Sequence, residues 1–214
     1  MITLTATIQI NDVESITLDY TNLKSLETNF VDRNDIKFPS WGVISNSGKA
    51  SFIDKDESIR TLSKNLNLKS GMKVVLALKN TSTNSSQNVA TLFTTNWDYN
   101  VDNKEVSVSF SDNLERLQDI QYNGITYDYL NVVPQNFEWL YKHLYDATIP
   151  FVTIKEFEEL DDETKEHLSN LFMEYPFINP SNLWSAWNKF ANATQTHIYV
   201  GMDGVVTCQY LGGN

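Results

Sequence analysis

Residues 87–118 carry the clearest folding pattern in the chain and read QNVATLFTTNWDYNVDNKEVSVSFSDNLERLQ. A strict period of two places one set of side chains on a single face of an extended strand: Val89, Thr91, Phe93, Thr95, Trp97 and Tyr99. After a polar break the same period resumes with three apolar residues: Val106, Val108 and Phe110. Two alternating runs around a polar break predict a β-hairpin with one apolar, aromatic face.

The turn of this hairpin predicts its register. Asp102 and Asn103 tolerate positive φ and suit the two central positions of a tight turn. A two-residue turn there pairs three sets of residues across the strands: Tyr99 with Val106, Trp97 with Val108, and Thr95 with Phe110. The hairpin needs a larger sheet to cover its apolar face.

Further strands are predicted around it. Residues 2–10 alternate, and Ile16 and Leu18 predict a second strand that closes a hairpin. Residues 41–44 and 50–53 flank a turn at 45–48. In residues 72–80, MKVVLALKN, three residues are expected to share one face: Val74, Leu76 and Leu78. Residues 21–40 are polar and irregular, so we expect a long loop there, and residues 59–66 are expected to form a short amphipathic segment.

The pattern becomes helical after the central hairpin. Leu114 and Leu117 have helical spacing, with Asp112 as a candidate N-cap. Three amphipathic helices are predicted between residues 134 and 193, with Asp161 capping the second and Ser181 the third. Their apolar positions are Phe137, Leu140, Tyr141 and Leu144; Leu168, Leu171, Phe172 and Tyr175; and Leu183, Ala186, Trp187 and Phe190.

The chain ends in a predicted hairpin, HIYVGMDGVVTCQY, around Asp203-Gly204. The whole pattern predicts an α+β protein. A β-rich barrel or sandwich domain occupies residues 1–125, and a helical region that ends in the β-hairpin occupies residues 134–214. We place the boundary between them near residues 126–133.

Composition limits the function. The 214 residues carry a net charge of −11 and show no Lys/Arg cluster, so we expect no direct nucleic-acid binding. We expect no membrane span and no signal peptide, since no long apolar run or basic leader is present. One cysteine and three histidines make a disulfide framework or a structural zinc site improbable.

Several residues were weighed as chemical sites. Cys208 and His197 lie on the two arms of the last hairpin, but a two-residue turn puts Tyr199, not His197, opposite Cys208. Asp54, Asp56 and Glu57 only begin a calcium-loop pattern, which fails at Ile59 and Asn65, so a solvated turn is favoured.

Three further groups have structural interpretations that are stronger than the functional ones. The acidic run at Glu158, Glu159, Asp161, Asp162 and Glu163 suits a helix start on a solvated face. Trp184, Trp187 and Phe190 have the spacing of core packing rather than of a ligand platform. His143 and His167 lack metal-ligand partners. We therefore expect no enzyme, no catalytic residue, no cofactor and no metal.

Several blocks taken together resemble a known family. They are WGVISNSGKASFIDKD, IRTLSKNLNLKSGMKVVLAL and LFTTNWDYNVDNKEVSVSFSDNLERLQD within residues 41–119, and SNLWSAWNKFANATQTHIYVGMDGVVTC at 181–208. In this order they are similar to the N-terminal part of the tail-hub and tail-tip proteins of bacteriophages and phage-like elements.

This resemblance implies a virion structural protein with a tail-tube-like β-domain. Such proteins form a ring, usually a trimer, that closes the tail tube and joins it to the distal tail or baseplate. The implied partners are copies of the chain and neighbouring tail proteins. The implied location is the virion tail, assembled in the bacterial cytoplasm. Two alternatives remain: a carbohydrate-binding host-attachment module using Trp184 or Trp41, and a Cys/His hydrolase.

Overall fold

A computed structural model describes residues 2–10, 15–19, 21–29, 42–55, 57, 71–125, 133–174, 178–210 and 212. The chain forms two compact units. The first comprises Met1–Phe30, Asn46–Asp112 and Met202–Gly204, and the second comprises Val31–Ser45, Asn113–Gly201 and Val205–Asn214.

The first unit is built on one antiparallel sheet of seven strands in the order β2-β1-β6-β7-β8-β5-β3. Its strands are β1 (Ile2–Gln9), β2 (Ser15–Leu18), β3 (Leu23–Asn29), β5 (Ser47–Ile53), β6 (Lys73–Asn80), β7 (Ser85–Asn100) and β8 (Glu105–Ser111). The predicted hairpins β1–β2 and β7–β8 are both confirmed.

Strand β7 pairs with β6 along its first half and with β8 along its second half. It has 16 residues, about twice the length of its neighbours. On one edge β6 pairs with Ser85–Phe93, and on the other edge β8 pairs with Phe93–Asn100, so the two partners overlap only at Phe93. Such a stagger is typical of sheets that curl into barrels or fold over at a corner.

A β-bulge at Thr95 changes which residues of β7 face the core. The ladder to β8 shifts between Thr94 and Asn96, so Thr95 is an extra residue. A bulge bends its strand and increases its twist. Two predicted pairs, Tyr99 with Val106 and Trp97 with Val108, are confirmed, whereas Phe110 lies opposite Thr94 rather than Thr95.

The predicted single apolar face is therefore wrong for the first half of β7. Ala90 and Leu92 belong to the core there, while Trp97 and Tyr99 do so after the bulge. A shift of one residue moves a strand's side chains to the other face. The turn also differs from the prediction, because four residues, Val101–Lys104, connect Asn100 to Glu105.

The connection between β2 and β3 requires the sheet to roll up. These strands are its two edges, and a flat seven-stranded sheet would hold them about 29 Å apart. Yet only a short turn joins Leu18 to Leu23, and the Leu23 amide donates to the Asp19 carbonyl at 2.8 Å. The sheet must curve back on itself, with a seam between β2 and β3.

The interior of this rolled sheet is one continuous apolar core. Six strands supply its buried residues: Ala6, Ile8, Leu18, Ala50, Phe52, Val74, Leu76, Leu92, Val106, Val108 and Phe110. Leu23 and Leu26 of β3 pack against it, so all seven strands contribute. A core that every strand shares fits a barrel-like sheet that curves around its own interior.

One expectation for this part of the chain is wrong, and another holds only in part. Leu23–Asn29 is a strand rather than a loop, and its polar sequence suits a sheet edge. The two short strands expected around a turn are present as Gly42–Ile44 (β4) and β5, but β5 already begins at Ser47, and the two strands belong to different sheets. Leu78 continues the face of Val74 and Leu76, as predicted, but it is exposed.

Within the residues that the structure describes, the second unit contains three helices: α1 (Phe137–Thr148), α2 (Asp162–Asn170) and α3 (Leu183–Thr194). Two 3-10 turns lie at Glu115–Gln118 and Phe157–Glu159. Its remaining strands are β9 (Gln121–Tyr122), β10 (Gln135–Asn136), β11 (Phe172–Met173), β12 (Ser181–Asn182), β13 (Thr196–Val200) and β14 (Val206–Tyr210). They form the three-stranded sheet β14-β13-β4 and the pairs β10-β11 and β12-β9.

An aromatic cluster fills the core of the second unit. Tyr141, Trp187 and Phe190 meet edge to face at centroid distances of 5.4 to 6.0 Å. The buried Trp187 ring also donates from Nε1 to the Thr148 hydroxyl at 2.9 Å. The predicted apolar stripes of α1 and α3 are confirmed. Leu114 and Leu117, which have helical spacing, are buried at the 3-10 turn Glu115–Gln118.

Helix boundaries were predicted less well than helix faces. Asp161 caps α2 as predicted, accepting from the Thr164 amide, but α3 is capped by Asn182 rather than Ser181. Helix α2 ends at Asn170, so Leu171 and Phe172 lie beyond it, and Tyr175 is outside the described residues. Asp112 caps no helix.

Asp112 instead holds a neighbouring stretch of chain. Its carboxylate accepts from the Asn46 amide at 2.6 Å, and its own amide donates to the Asn46 carbonyl at 2.9 Å. The Asp112 side chain is buried, so the bond to a backbone donor offsets the cost of removing the carboxylate from water. The pair extends the β5–β8 ladder by one step.

The predicted α+β class is confirmed. A large antiparallel sheet precedes the helices, and a β-hairpin follows them.

We predict that deleting Thr95 destabilises the first unit by roughly 1–3 kcal/mol. The deletion leaves the rest of β7 on its present faces, because Thr94, Asn96 and Trp97 then alternate without an extra residue. It removes only the bend. Urea unfolding followed by circular dichroism measures the change, and Thr95→Ala, which keeps the extra residue, is the matched control. Equal stability of the deletion and the control would show that the bend is unnecessary.

Candidate functional site

The last hairpin places Cys208 and His197 on opposite faces of its sheet. Five residues, 201–205, connect β13 to β14, so Ile198 lies opposite Cys208 and His197 lies opposite Gln209. The predicted pairing of Tyr199 with Cys208 is wrong by one residue, because the turn is longer than two residues. Cross-strand neighbours share a face, and adjacent residues do not. Cys208 and His197 therefore do not meet as a nucleophile and base.

The surroundings of Cys208 suppress ionisation of its thiol. The side chain is 2% exposed, and this burial raises its pKa to about 12. A hydrogen bond with the Thr196 side chain lowers the pKa, but burial has the larger effect. Since the thiolate is the reactive form, Cys208 resembles a small buried apolar residue.

His167 has a structural position at the end of α2. Its Nε2 donates to the Thr194 carbonyl at 2.7 Å, and its ring stacks on Tyr210 at 3.6 Å. The Thr164 hydroxyl accepts from the Tyr210 amide at 2.8 Å. These contacts tie α2 to the end of α3 and to β14. His143 is exposed on α1, where it stacks on Trp139 at 5.6 Å.

The acidic run lies on the solvated start of α2, as predicted. Asp162 pairs with Lys165 at 2.9 Å, and Glu158 pairs with Lys142 at 2.7 Å. The Glu159 carboxylate accepts from the Glu156 amide at 2.9 Å. Each of these carboxylates has a local structural partner, and none is paired with another carboxylate as an acid and base would be.

Glu138 joins α1 to α2 through its carboxylate. Ser169 donates to Oε2 at 2.8 Å, and Lys142 donates to Oε1 at 3.0 Å. The Ser169 hydrogen bond, followed by the Lys142 hydrogen bond and charge, lowers the pKa of Glu138 below its usual value of 4.5. The folded state therefore favours the ionised carboxylate.

The aspartate cluster at residues 54–57 lies in a turn, as expected, but the turn is only partly solvated. The Glu57 amide donates to the Asp54 carbonyl at 3.2 Å. Asp54 is buried, and its own amide donates to the Lys104 carbonyl at 2.9 Å. Glu57 pairs with the Lys104 ammonium at 2.8 Å. These two contacts join the turn to the end of the β7–β8 hairpin, while Asp56 and the segment 59–66 lie outside the described residues.

The tryptophans considered for ligand stacking differ in position. Trp187 is fully buried in the helical core, and Trp184 is partly buried against it. Trp41 lies outside the described residues. Within the described ranges, no group of three His, Cys, Asp or Glu side chains is arranged to hold a metal ion. Nor is any helix described there long and apolar enough to span a membrane.

The first unit exposes apolar side chains on β1 and β6. Ile2 is 69% exposed and Leu78 is 42% exposed. They continue the inward stripe of Ala6 and Leu76, but β2 covers only Ala6–Gln9 of β1. Leu78 also lies opposite the polar Gln87 on β7, and this polar neighbour marks the end of the apolar core along β6.

Open sheet edges accompany this exposed stripe. Strands β2 and β3 each have a partner on one side only, and no ladder joins them within the described ranges. Backbone groups along such edges are able to pair with another chain. The seam and the stripe around Ile2 and Leu78 are thus the features of the first unit best suited to assembly.

Comparison with known proteins shows a likeness among solved structures. No protein-family model matches the chain, and no curated protein matches it. Among solved structures, the chain is similar to the 43 kDa tail protein of prophage MuSo2 from Shewanella oneidensis, with a TM-score of 0.54 and 11% sequence identity. The likeness covers 100% of this chain and 57% of that one, and at this identity it shows the fold.

We predict that an alkylating reagent modifies Cys208 only after unfolding. A pKa of about 12 leaves roughly one thiol in 10⁴ ionised at pH 8. Mass spectrometry of the chain treated in buffer and in urea measures the difference. Modification in buffer at the rate seen in urea would indicate a reactive thiol and would favour the hydrolase alternative.

We predict that Ser169→Ala lowers the free energy of unfolding by about 1 kcal/mol at neutral pH. Because the folded pKa of Glu138 lies below the unfolded value of 4.5, the lost stability is fully expressed above that value. The difference between the two proteins should shrink as pH falls through the folded pKa. Urea titrations across this range measure it.

The matched control for this prediction is Glu138→Gln. In that background, Ser169→Ala should change stability by an amount that does not vary with acid pH. A pH dependence that persists there would assign the effect to another carboxylate.

Proposed function

We propose that this chain is a structural component of a phage or phage-like tail, within the hub, tip or baseplate ring that closes the tail tube. The observation that carries this proposal is the similarity of its fold, over the whole chain, to the prophage tail protein. The order of sequence blocks that resembles tail-hub proteins supports the same function independently.

The first unit supplies features that ring assembly requires. Its seam offers two open strand edges, and the apolar stripe at Ile2 and Leu78 continues the core face beyond β2. These surfaces differ from one another, so one can meet the other on a neighbouring copy. Repeated contacts between unlike surfaces generate a ring when the rotation closes. A trimer is the proposed ring.

Charge supports protein neighbours rather than DNA as partners. By sequence, the second unit has 15 acidic and 7 basic residues, and the first has 12 acidic and 9 basic. Acidic surfaces repel phosphates and attract basic protein surfaces. We propose that the chain contacts neighbouring tail-tube or distal tail proteins and does not bind nucleic acid directly.

We further propose that the chain is not an enzyme. Support comes from the side chains with chemical potential. Cys208 is buried and un-ionised, the acidic run is tied to local partners, and His167 is held between a carbonyl and a tyrosine ring. The proposed location is the virion tail, with assembly in the cytoplasm of the bacterial host.

The proposal predicts that disrupting the coding sequence in the phage or prophage that carries it abolishes correctly ended tails. Electron microscopy of the particles should show tails that are absent or open at the distal end, and infectivity should fall. Complementation with the intact chain should restore both. Infectious particles of normal shape without the chain would refute a structural tail function.

Variants of the exposed stripe refine this test. The Leu78→Lys variant should fold normally, because the Leu78 side chain is already 42% exposed. It should nevertheless restore tails and infectivity poorly if the stripe is an assembly surface. Lys79→Ala, one residue along β6, is the matched control. Equal complementation by both variants would remove the stripe from the assembly surface without affecting the broader proposal.

A further inference from the structure

Asn123-Gly124 is the only Asn-Gly pair in the sequence. In such a pair the backbone nitrogen of glycine attacks the side-chain carbonyl carbon of asparagine. A bond forms between these atoms, ammonia leaves, and a cyclic succinimide results. Water then opens the ring at either carbonyl, giving aspartate or isoaspartate. Glycine favours the reaction because it has no Cβ to hinder the approach.

The reacting side chain is accessible in the folded chain. Asn123 is exposed, between β9 and the bridge that joins Ile125 to Ile178. Within the residues that the structure describes, neither the Asn123 side chain nor the Gly124 amide has a hydrogen-bond partner. Among those residues, therefore, no bond to the nucleophile or to its target has to break before the reaction.

The opposing strand also limits the backbone pairing at Asn123. The β9–β12 ladder pairs Tyr122 with Ser181, and the Ile125–Ile178 bridge keeps the same register. In that register Pro180 lies opposite Asn123, and proline has no N–H to donate. The ladder is thus interrupted at the position where the side-chain amide meets solvent.

The fold also requires glycine at position 124. Gly124 has a φ of +75°, which side chains of other residues disfavour. A Cβ there would collide with the Ile178 carbonyl oxygen and with the Pro180 nitrogen at 2.8 Å. Packing therefore requires glycine at position 124, and this glycine is the residue that makes Asn123 labile.

We propose that Asn123 is a site of spontaneous deamidation and isomerisation in the folded protein. The aspartate product adds a negative charge. The isoaspartate product also inserts a carbon into the backbone before Gly124, which shifts Ile125 relative to Ile178. The Ile125 amide now donates to the Ile178 carbonyl at 2.9 Å, and Ile178 is buried in the core of the second unit. Isomerisation should therefore weaken that unit.

The experiment incubates the full chain at physiological temperature and at slightly alkaline pH, in buffer and in urea. Peptide mapping by mass spectrometry and labelling with an isoaspartyl methyltransferase locate the products. Asn84-Ser85 provides an internal control, because Asn84 is equally exposed but is followed by a residue with a Cβ. Asn123→Gln confirms the assignment, since its longer side chain forms such a ring far more slowly.

The expected result is that isoaspartate accumulates at residue 123 in the folded chain, well ahead of any change at residue 84. It should be accompanied by a lower unfolding temperature that Asn123→Gln does not acquire. Reaction at residue 123 in urea but not in buffer would show that the fold protects the pair. That outcome, or equal rates at residues 123 and 84 in the folded chain, would overturn the proposal.

Discussion

The first unit depends on one bend in one strand. The extra residue at Thr95 lets β7 pair with β6 through its first half and with β8 through its second half. Without a strand shared in this way, the sheet would separate into two halves, each with an uncovered apolar face. With it, and with the short turn from β2 to β3, seven strands enclose a single core. The open seam lies between β2 and β3, and the stripe at Ile2 and Leu78 is exposed beyond the part of β1 that β2 covers.

The second unit is stabilised by local hydrogen bonds and by the packing of aromatic rings. Its elements are short, and their polar groups are satisfied locally: Asn136, Asp161 and Asn182 cap the three helices. Buried aromatic rings supply the packing, while Glu138 and His167 join neighbouring elements by hydrogen bonds. These titratable groups, which taken alone would suggest catalysis, thus stabilise a small core.

Sequence patterns predicted the elements in which one face is buried and residues adjacent in sequence decide which face that is. The helical stripes, the Asp161 cap and the end of the β7–β8 hairpin fall in this class, because adjacent residues decide them. Features set by distant partners escaped prediction. The alternating sequence gives no sign of the bulge at Thr95. The polar strand β3 forms because β5 pairs with it. Leu78 is exposed because β2 is short. The cross-strand partner of Cys208 was predicted wrongly by one residue, because it depends on a turn of five residues rather than two.

The proposed tail function rests on assembly rather than chemistry, so position and copy number within the particle test it most directly. A small epitope tag on this chain, detected by gold-labelled antibody on intact particles, would locate it by electron microscopy. Quantitative mass spectrometry of the same particles would count its copies. The account predicts label confined to the distal end of the tail, in the stoichiometry of a single ring. Label along the whole tube, on the head, or absent from purified particles would contradict it.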